Sequence, residues 1–275
     1  MPVLRDTWEL KERLGKGSFG EVYRAVDVRD GTEVAIKMEE RDDKAPRQLE
    51  YEYRVYKTLK GLPCIPAIHW FGVSDDYSFL VMEKLGPSLA TLLSKSGGTL
   101  PEHEVAVLGI LGVRALRDIH DKGFVHRDIK PENICLHSSG RLYLIDYGLC
   151  KMYRHRDGQH IPKIENKRLT GTPRYCSMRT LAGTEQSRRD DLEGWVYCLL
   201  YFLRGRLPWQ GIEAPTKRDK HKKILEMKQT TTTRSLVAGL RRANDWAWLL
   251  ESTRNLGFSD RPHYGEIEAR LTAVI

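Results

Sequence analysis

The string His126-Arg127-Asp128-Ile129-Lys130-Pro131-Glu132-Asn133, followed by Asp146-Tyr147-Gly148, constrains this chain more than any other feature of its 275 residues. It gathers three carboxylates, an ammonium and an amide into a short stretch. Between Asn133 and Asp146, the apolar runs 134–136 and 142–145 flank the turn signal His137-Ser138-Ser139-Gly140. That pattern predicts a hairpin returning Asp146 toward Asn133. Phosphoryl transfer is catalysed mainly by positioning and charge neutralisation. It needs a carboxylate to orient or deprotonate the attacking hydroxyl, and Asp128 fits. It needs a cation for the moving γ-phosphoryl group, and Lys130 fits. It also needs hard oxygen ligands for Mg²⁺, which keeps several waters and takes only one or two carboxylates. Asn133 and Asp146 supply them.

A second feature lies upstream. Gly15-Lys16-Gly17-Ser18-Phe19-Gly20 fits the spacing GxGxxG. Alone it is compatible with a simple glycine-rich turn. A dinucleotide-binding turn would require a helix straight after the last glycine, but 21–28 alternates like a strand. Strand, glycine loop and strand instead describe a flap over nucleotide phosphates, where glycines let backbone N–H groups approach the anion. Lys37 ends the run Val34-Ala35-Ile36-Lys37 and would be a fixed cation for the α- and β-phosphates. Glu52, near the apolar stripe of the following helix, is its expected anionic partner; an exposed Glu52 is the alternative.

The first third reads as strands around a turn at Arg29-Asp30-Gly31, with a helix whose apolar positions are Leu49, Tyr53, Tyr56 and Leu59 and with Pro46 near its start. Two further strand-like runs, 65–71 and 77–82, precede a break at Gly86-Pro87. From Glu102 onward helix periods dominate: a first helix closed by Gly123, then 189–203, 217–227, 244–256 and 264–274. The segment 153–174 is polar, basic and without period, and loops of that length inside a compact domain are usually functional. The expected architecture is α+β: a small strand-rich lobe, 1–85, then a larger helical lobe, 86–275.

Composition narrows the class. With 40% hydrophobic and 30% charged residues the chain reads as an ordinary globular protein. The longest apolar stretch, 106–113, is broken by Gly109 and Gly112 and is too short for a membrane span. The start MPVLRDTWEL lacks an apolar core and is not expected to be a signal peptide. Five scattered cysteines with no CxxC pair suggest neither a zinc site nor a disulfide framework, but thiols in a reducing cytosol or nucleus.

The set of motifs, in this order, resembles the protein kinase signature over essentially the whole chain. The resemblance implies a bilobal kinase-like fold, with an antiparallel β-sheet in the first lobe, carrying ATP, and catalysis and substrate in the second. It also implies ATP and Mg²⁺ as cofactors, Asp128 as catalytic base, Lys130 at the γ-phosphate, Asn133 and Asp146 on Mg²⁺, and a Lys37–Glu52 ion pair. It adds Leu14, Gly15, Gly17, Gly20, Val22 and Ala35 to the nucleotide site. The lysine two residues after Asp128 is similar to serine/threonine kinases. Leu80 to Leu89 resembles the hinge of the casein kinase 1 family, with Met82 as gatekeeper and backbone groups near Glu83 and Leu85 meeting adenine. Thr170 to Tyr175, Glu185 to Glu193 and Leu207 to Gly211 are similar to segments distinctive of that family. Ser177-Met178-Arg179 stands where that family carries Ser-Ile-Asn, and the metal triplet has Tyr147 in place of phenylalanine, so the chain resembles a divergent member.

The formal net charge is +8, which suggests an anionic partner. Arg174 and Lys220 match positions where the family binds the phosphate of an already phosphorylated substrate, with Lys167 and Arg168 as additions. Arginine's planar fork suits phosphate. For the run 217–223, a solvated helix face and a nuclear-localisation signal stay open. The expectation is a monomeric cytoplasmic, alternatively nuclear, serine/threonine kinase acting on acidic or phosphate-primed proteins, with nucleic acid not expected as a partner. A catalytically silent scaffold and a nucleic-acid- or microtubule-binding module are the alternatives.

Overall fold

The computed structural model describes residues 3–17, 20–42, 47–155 and 157–275. Ser18 and Phe19 of the glycine motif, and Pro46, lie outside the described residues. The chain divides into two compact units, Met1–Gly86 with Leu136–Gly148, and Pro87–Cys135 with Leu149–Ile275.

In the first unit β1 (Val3–Leu4), β2 (Trp8–Gly17), β3 (Gly20–Asp27), β4 (Glu33–Glu40), β5 (Ile68–Val73) and β6 (Tyr77–Glu83) form one sheet of order β1-β2-β3-β4-β6-β5. Every adjacent pair is antiparallel. Alternation sorts β4 by face. Val34 and Ile36 join Trp8, Ala25 and Val81 in a buried cluster against which Met38 packs, so Ala35 and Lys37 point to the opposite face. β5 starts at Ile68 rather than 65. Pro66 has no N–H to give a ladder and biases its neighbour, so pairing begins beyond it.

Helix α1 (Gln48–Leu59) buries Leu49, Glu52, Val55, Tyr56 and Leu59. Tyr53, expected on that stripe, is half-buried and stacks on Phe71 at 4.6 Å between ring centroids. Glu52 takes the deeper position.

The second unit is helical. α2 (Leu89–Lys95) precedes α3 (Glu102–Asp121), which packs on α5 (Arg188–Arg204) and α9 (Tyr264–Thr272). A capping box from Ser187 and Asp190 opens α5, and Gly205 closes it in the left-handed conformation. α4 (Met178–Leu181) and α6 (Lys217–Thr230) pack together, and α7 (Thr233–Val237) leads to α8 (Ala243–Asn255). Helices α2, α4 and α7 escaped sequence periodicity because each is at most about two turns long. β7 (Phe124–Val125) pairs with β10 (Lys151–Met152); β8 (Ile134–Leu136) and β9 (Leu142–Leu144) form the expected hairpin, which from Leu136 onward belongs to the first unit. Among the described residues of 153–174 there is no helix or strand, only an isolated bridge from Arg154 to His160. No described helix is long and apolar enough to cross a membrane.

The architecture is α+β as expected, with an antiparallel sheet region toward the N-terminus and a helical region toward the C-terminus.

Candidate active site

Register builds the candidate site of the first unit. Gly15 pairs with Val22, Val22 with Lys37, and Lys37 with Leu80, while Ala35 pairs with Met82. Directly paired residues share a face, as do residues two apart on a strand. Val22, Ala35, Lys37 and Met82 therefore lie together on the face opposite the apolar cluster. Glu83 follows at the end of β6; its N–H donates to Ala67 O and its carboxylate accepts from Ala67 N. Leu85 is half-buried and Leu14 exposed, the latter at a register shift between Arg13 and Gly15. Gly20 has a φ of +128°, and a Cβ there would collide with the Met38 carbonyl. Only glycine fits that approach.

Lys37 Nζ lies 2.7 Å from Glu52 Oε2 and 2.9 Å from Asp146 Oδ1. The Tyr147 N–H donates to Glu52 Oε1 at 3.2 Å. Asp146, whose N–H donates to the Tyr56 hydroxyl, has a φ of +66°. A non-glycine residue in that region carries strain typical of functional positions. Burial alone would pull Lys37 down, but the Glu52 and Asp146 carboxylates outweigh it and hold the ammonium above the ordinary lysine range. Burial pushes Glu52 up, opposed by the Lys37 charge.

The second unit carries the catalytic string in the loop after β7. Asp191, near the start of α5, is 2% exposed and accepts the backbone N–H groups of His126 at 2.7 Å and Arg127 at 2.8 Å. His120 on α3 bonds the same carboxylate through Nε2 and the Tyr264 hydroxyl through Nδ1. Burial works against the charge of Asp191, but these hydrogen bonds more than offset it and hold the carboxyl below its usual range. Arg127 itself has a φ of +70°, and Gly171 (φ +96°) presses so close to the Arg127 carbonyl that a Cβ would collide.

The loop so anchored presents Asp128. One oxygen, Oδ2, accepts from Lys130 Nζ at 2.5 Å and Asn133 Nδ2 at 3.2 Å, and Oδ1 accepts the Thr172 hydroxyl at 2.7 Å. Asn133 Nδ2 also donates to Asp128 O at 3.0 Å. With its nitrogen committed there, the other end of that amide is an oxygen, the hard donor Mg²⁺ takes. The Asp146 carboxylate has the same chemistry. Among the described residues no cluster of three or more His, Cys, Asp or Glu could hold a metal; Asn133, in the second unit, and Asp146, in the first, each offer a hard oxygen of the kind Mg²⁺ takes.

Arg174 is half-buried, its guanidinium 5.7 Å from the Tyr175 ring and 5.8 Å from the Tyr201 ring. Lys220 is exposed on α6, as is Arg168 in its own segment. Lys167 lies 2.5 Å from Glu185 Oε2, which also takes Lys151 at 2.8 Å.

Sequence reasoning gave no role to Thr172, Asp191, His120 or Glu185. Asp191 had a signal, an acidic pair opening an apolar helix. Thr172 and Glu185 lay in segments similar to the casein kinase 1 family, but nothing local marked their partners, which are far apart in the chain.

An ammonium held by two carboxylates on a sheet face, and an Asp-Lys-Asn loop hung on a buried aspartate, are the two constellations expected of phosphoryl transfer. The family model of the protein kinase domain matches residues 8–267, a span that includes each of these groups. The chain belongs to the protein kinase family, phosphotransferases that use ATP, generally with a divalent metal, and act on protein substrates.

Proposed function

We propose that this kinase is a serine/threonine kinase of the casein kinase 1 type, transferring the γ-phosphate of Mg²⁺-ATP to acidic or phosphate-primed protein substrates. The observation that carries the reading is the environment of Asp128: one carboxylate oxygen already accepts an aliphatic hydroxyl, that of Thr172, and the other holds Lys130. A serine or threonine hydroxyl is the same donor type. Asp128 accepts its proton as the oxygen attacks phosphorus. Lys130 neutralises the γ-phosphoryl charge, and Lys37, held by Glu52, binds the α- and β-phosphates. Asn133 and Asp146 would hold Mg²⁺, which supplies charge neutralisation on the phosphate oxygens. The substrate preference rests on Arg174, Lys220 and the resemblance of the segments around them to casein kinase 1.

One assay tests this: transfer from labelled ATP to matched peptides with and without a phosphoserine before the acceptor, with Mg²⁺ and after chelation. The expected result is Mg²⁺-dependent phosphoserine or phosphothreonine formation, faster on the primed peptide. Transfer to tyrosine alone, or none at all, overturns the reading.

A further inference from the structure

Helix α6 is basic and mostly solvated; it buries only Ile224 and Lys228, one turn apart. A lysine at a position that should be apolar costs desolvation unless every donor is used. Lys228 is 0% exposed. Its Nζ donates to Pro173 O at 3.1 Å and Cys176 O at 2.5 Å. The ammonium also faces the rings of Tyr197 at 4.5 Å and Trp209 at 4.9 Å, which attract a cation through their π faces. Trp209 Nε1 donates to Arg174 O at 2.7 Å. Three carbonyls of 173–176 are thus captured by two side chains.

That stretch is coupled to Asp128. Tyr175 N and Cys176 N both donate to Thr172 O at 3.0 Å, and the Thr172 hydroxyl is on Asp128. We infer that Lys228 is a positioning residue for the acceptor side of the reaction: its ammonium, caged by Tyr197 and Trp209, sets the 172–176 turn so that Thr172 and the adjacent backbone stand in register with Asp128. Burial pulls Lys228 down to about 8, with the Cys176, Glu193 and Cys198 groups opposing the pull and Arg254 adding to it. A merely structural role would show as a loss of stability alone, since removing the ammonium leaves the Pro173 and Cys176 carbonyls without that donor.

The inference deepens the proposed function and rests on it for its kinetic readout. The test is Lys228→Met. The expected variant melts a little lower, because two carbonyls lose a donor, and binds ATP unchanged, yet loses tenfold or more in kcat/KM for the peptide under conditions where it is fully folded, as a misplacement of about 1 Å can cause. Hydrogen exchange should show faster exchange confined to 172–178. Unchanged kcat/KM overturns the inference, as does a variant that melts lower and loses activity in proportion. Local exchange equal to the wild type overturns it too. Wild-type protein inactive on every serine or threonine peptide would instead sink the proposed function, leaving the exchange result to judge the role of Lys228.

Discussion

The Lys37 ammonium and the Glu52 carboxylate are 2.7 Å apart, with side-chain exposures of 11% and 1%. Two charges so placed depend on each other, because either one left alone is an uncompensated buried ion. Lys37→Ala is expected to destabilise the fold by about 3–5 kcal/mol and to abolish transfer. The double variant Lys37→Met, Glu52→Leu is expected to regain most of the stability and none of the activity. Denaturant titration beside the transfer assay checks this, and a double variant as unstable as the single one contradicts it.

Asp128→Asn removes the proposed proton acceptor and keeps the shape. Transfer is expected to fall about 10²–10⁴-fold with nucleotide affinity intact. Thr172→Val deletes the hydroxyl on Oδ1 and is expected to lower kcat about tenfold, while Thr172→Ser keeps it. Equal losses in Thr172→Val and Thr172→Ser would show that the methyl group, rather than the hydroxyl, matters.

The proposed preference for primed substrates has its own test. Arg174→Glu with Lys220→Glu is expected to raise KM for a phosphoserine peptide at least tenfold more than for its unphosphorylated match. Losses of the same size on both peptides would remove the anion site from the proposal.

Asp190 accepts from Ser177 Oγ at 2.5 Å and from Ser187 N at 2.8 Å, and burial pushes its carboxyl up from 3.8 to about 6. Between those values the folded protein holds a proton that the unfolded chain has released. The stability this confers is full below pH 3.8 and lost as pH rises through about 6. Asp190→Asn has no such titration. Wild-type stability minus that of the variant is expected to fall by up to about 3 kcal/mol as pH rises across the window. Denaturation curves at several pH values decide it; a flat or rising difference rejects the assignment.

The residues legible in advance share a property. Asp128, Lys130 and Asn133 lie within one loop, so their type and spacing already state their chemistry. Lys37 and Glu52 sit on neighbouring elements, where strand alternation and helix phase limit which side chains meet. The helix phase still needed the structure, which put Glu52 rather than Tyr53 in the buried row. The partners of Asp191, Thr172 and Lys228 were opaque for a different reason. Two of the three act on backbone N–H or C=O groups, which are alike at every residue, and Thr172 reaches Asp128 from a distant segment.

Sequence by itself determined the order of the sheet and helical regions, the chemical groups available for phosphoryl transfer, and the glycine spacing of Gly15, Gly17 and Gly20. Tertiary structure decided which charges are paired and at what depth: that Glu52 and Asp146 share Lys37, that Lys167 is spent on Glu185, and that a lysine of a solvated helix is buried beneath the turn leading to Asp128. The reason is physical. Local pattern reports a side chain's type and face, whereas desolvation and hydrogen bonding depend on what distant segments bring within about 3 Å.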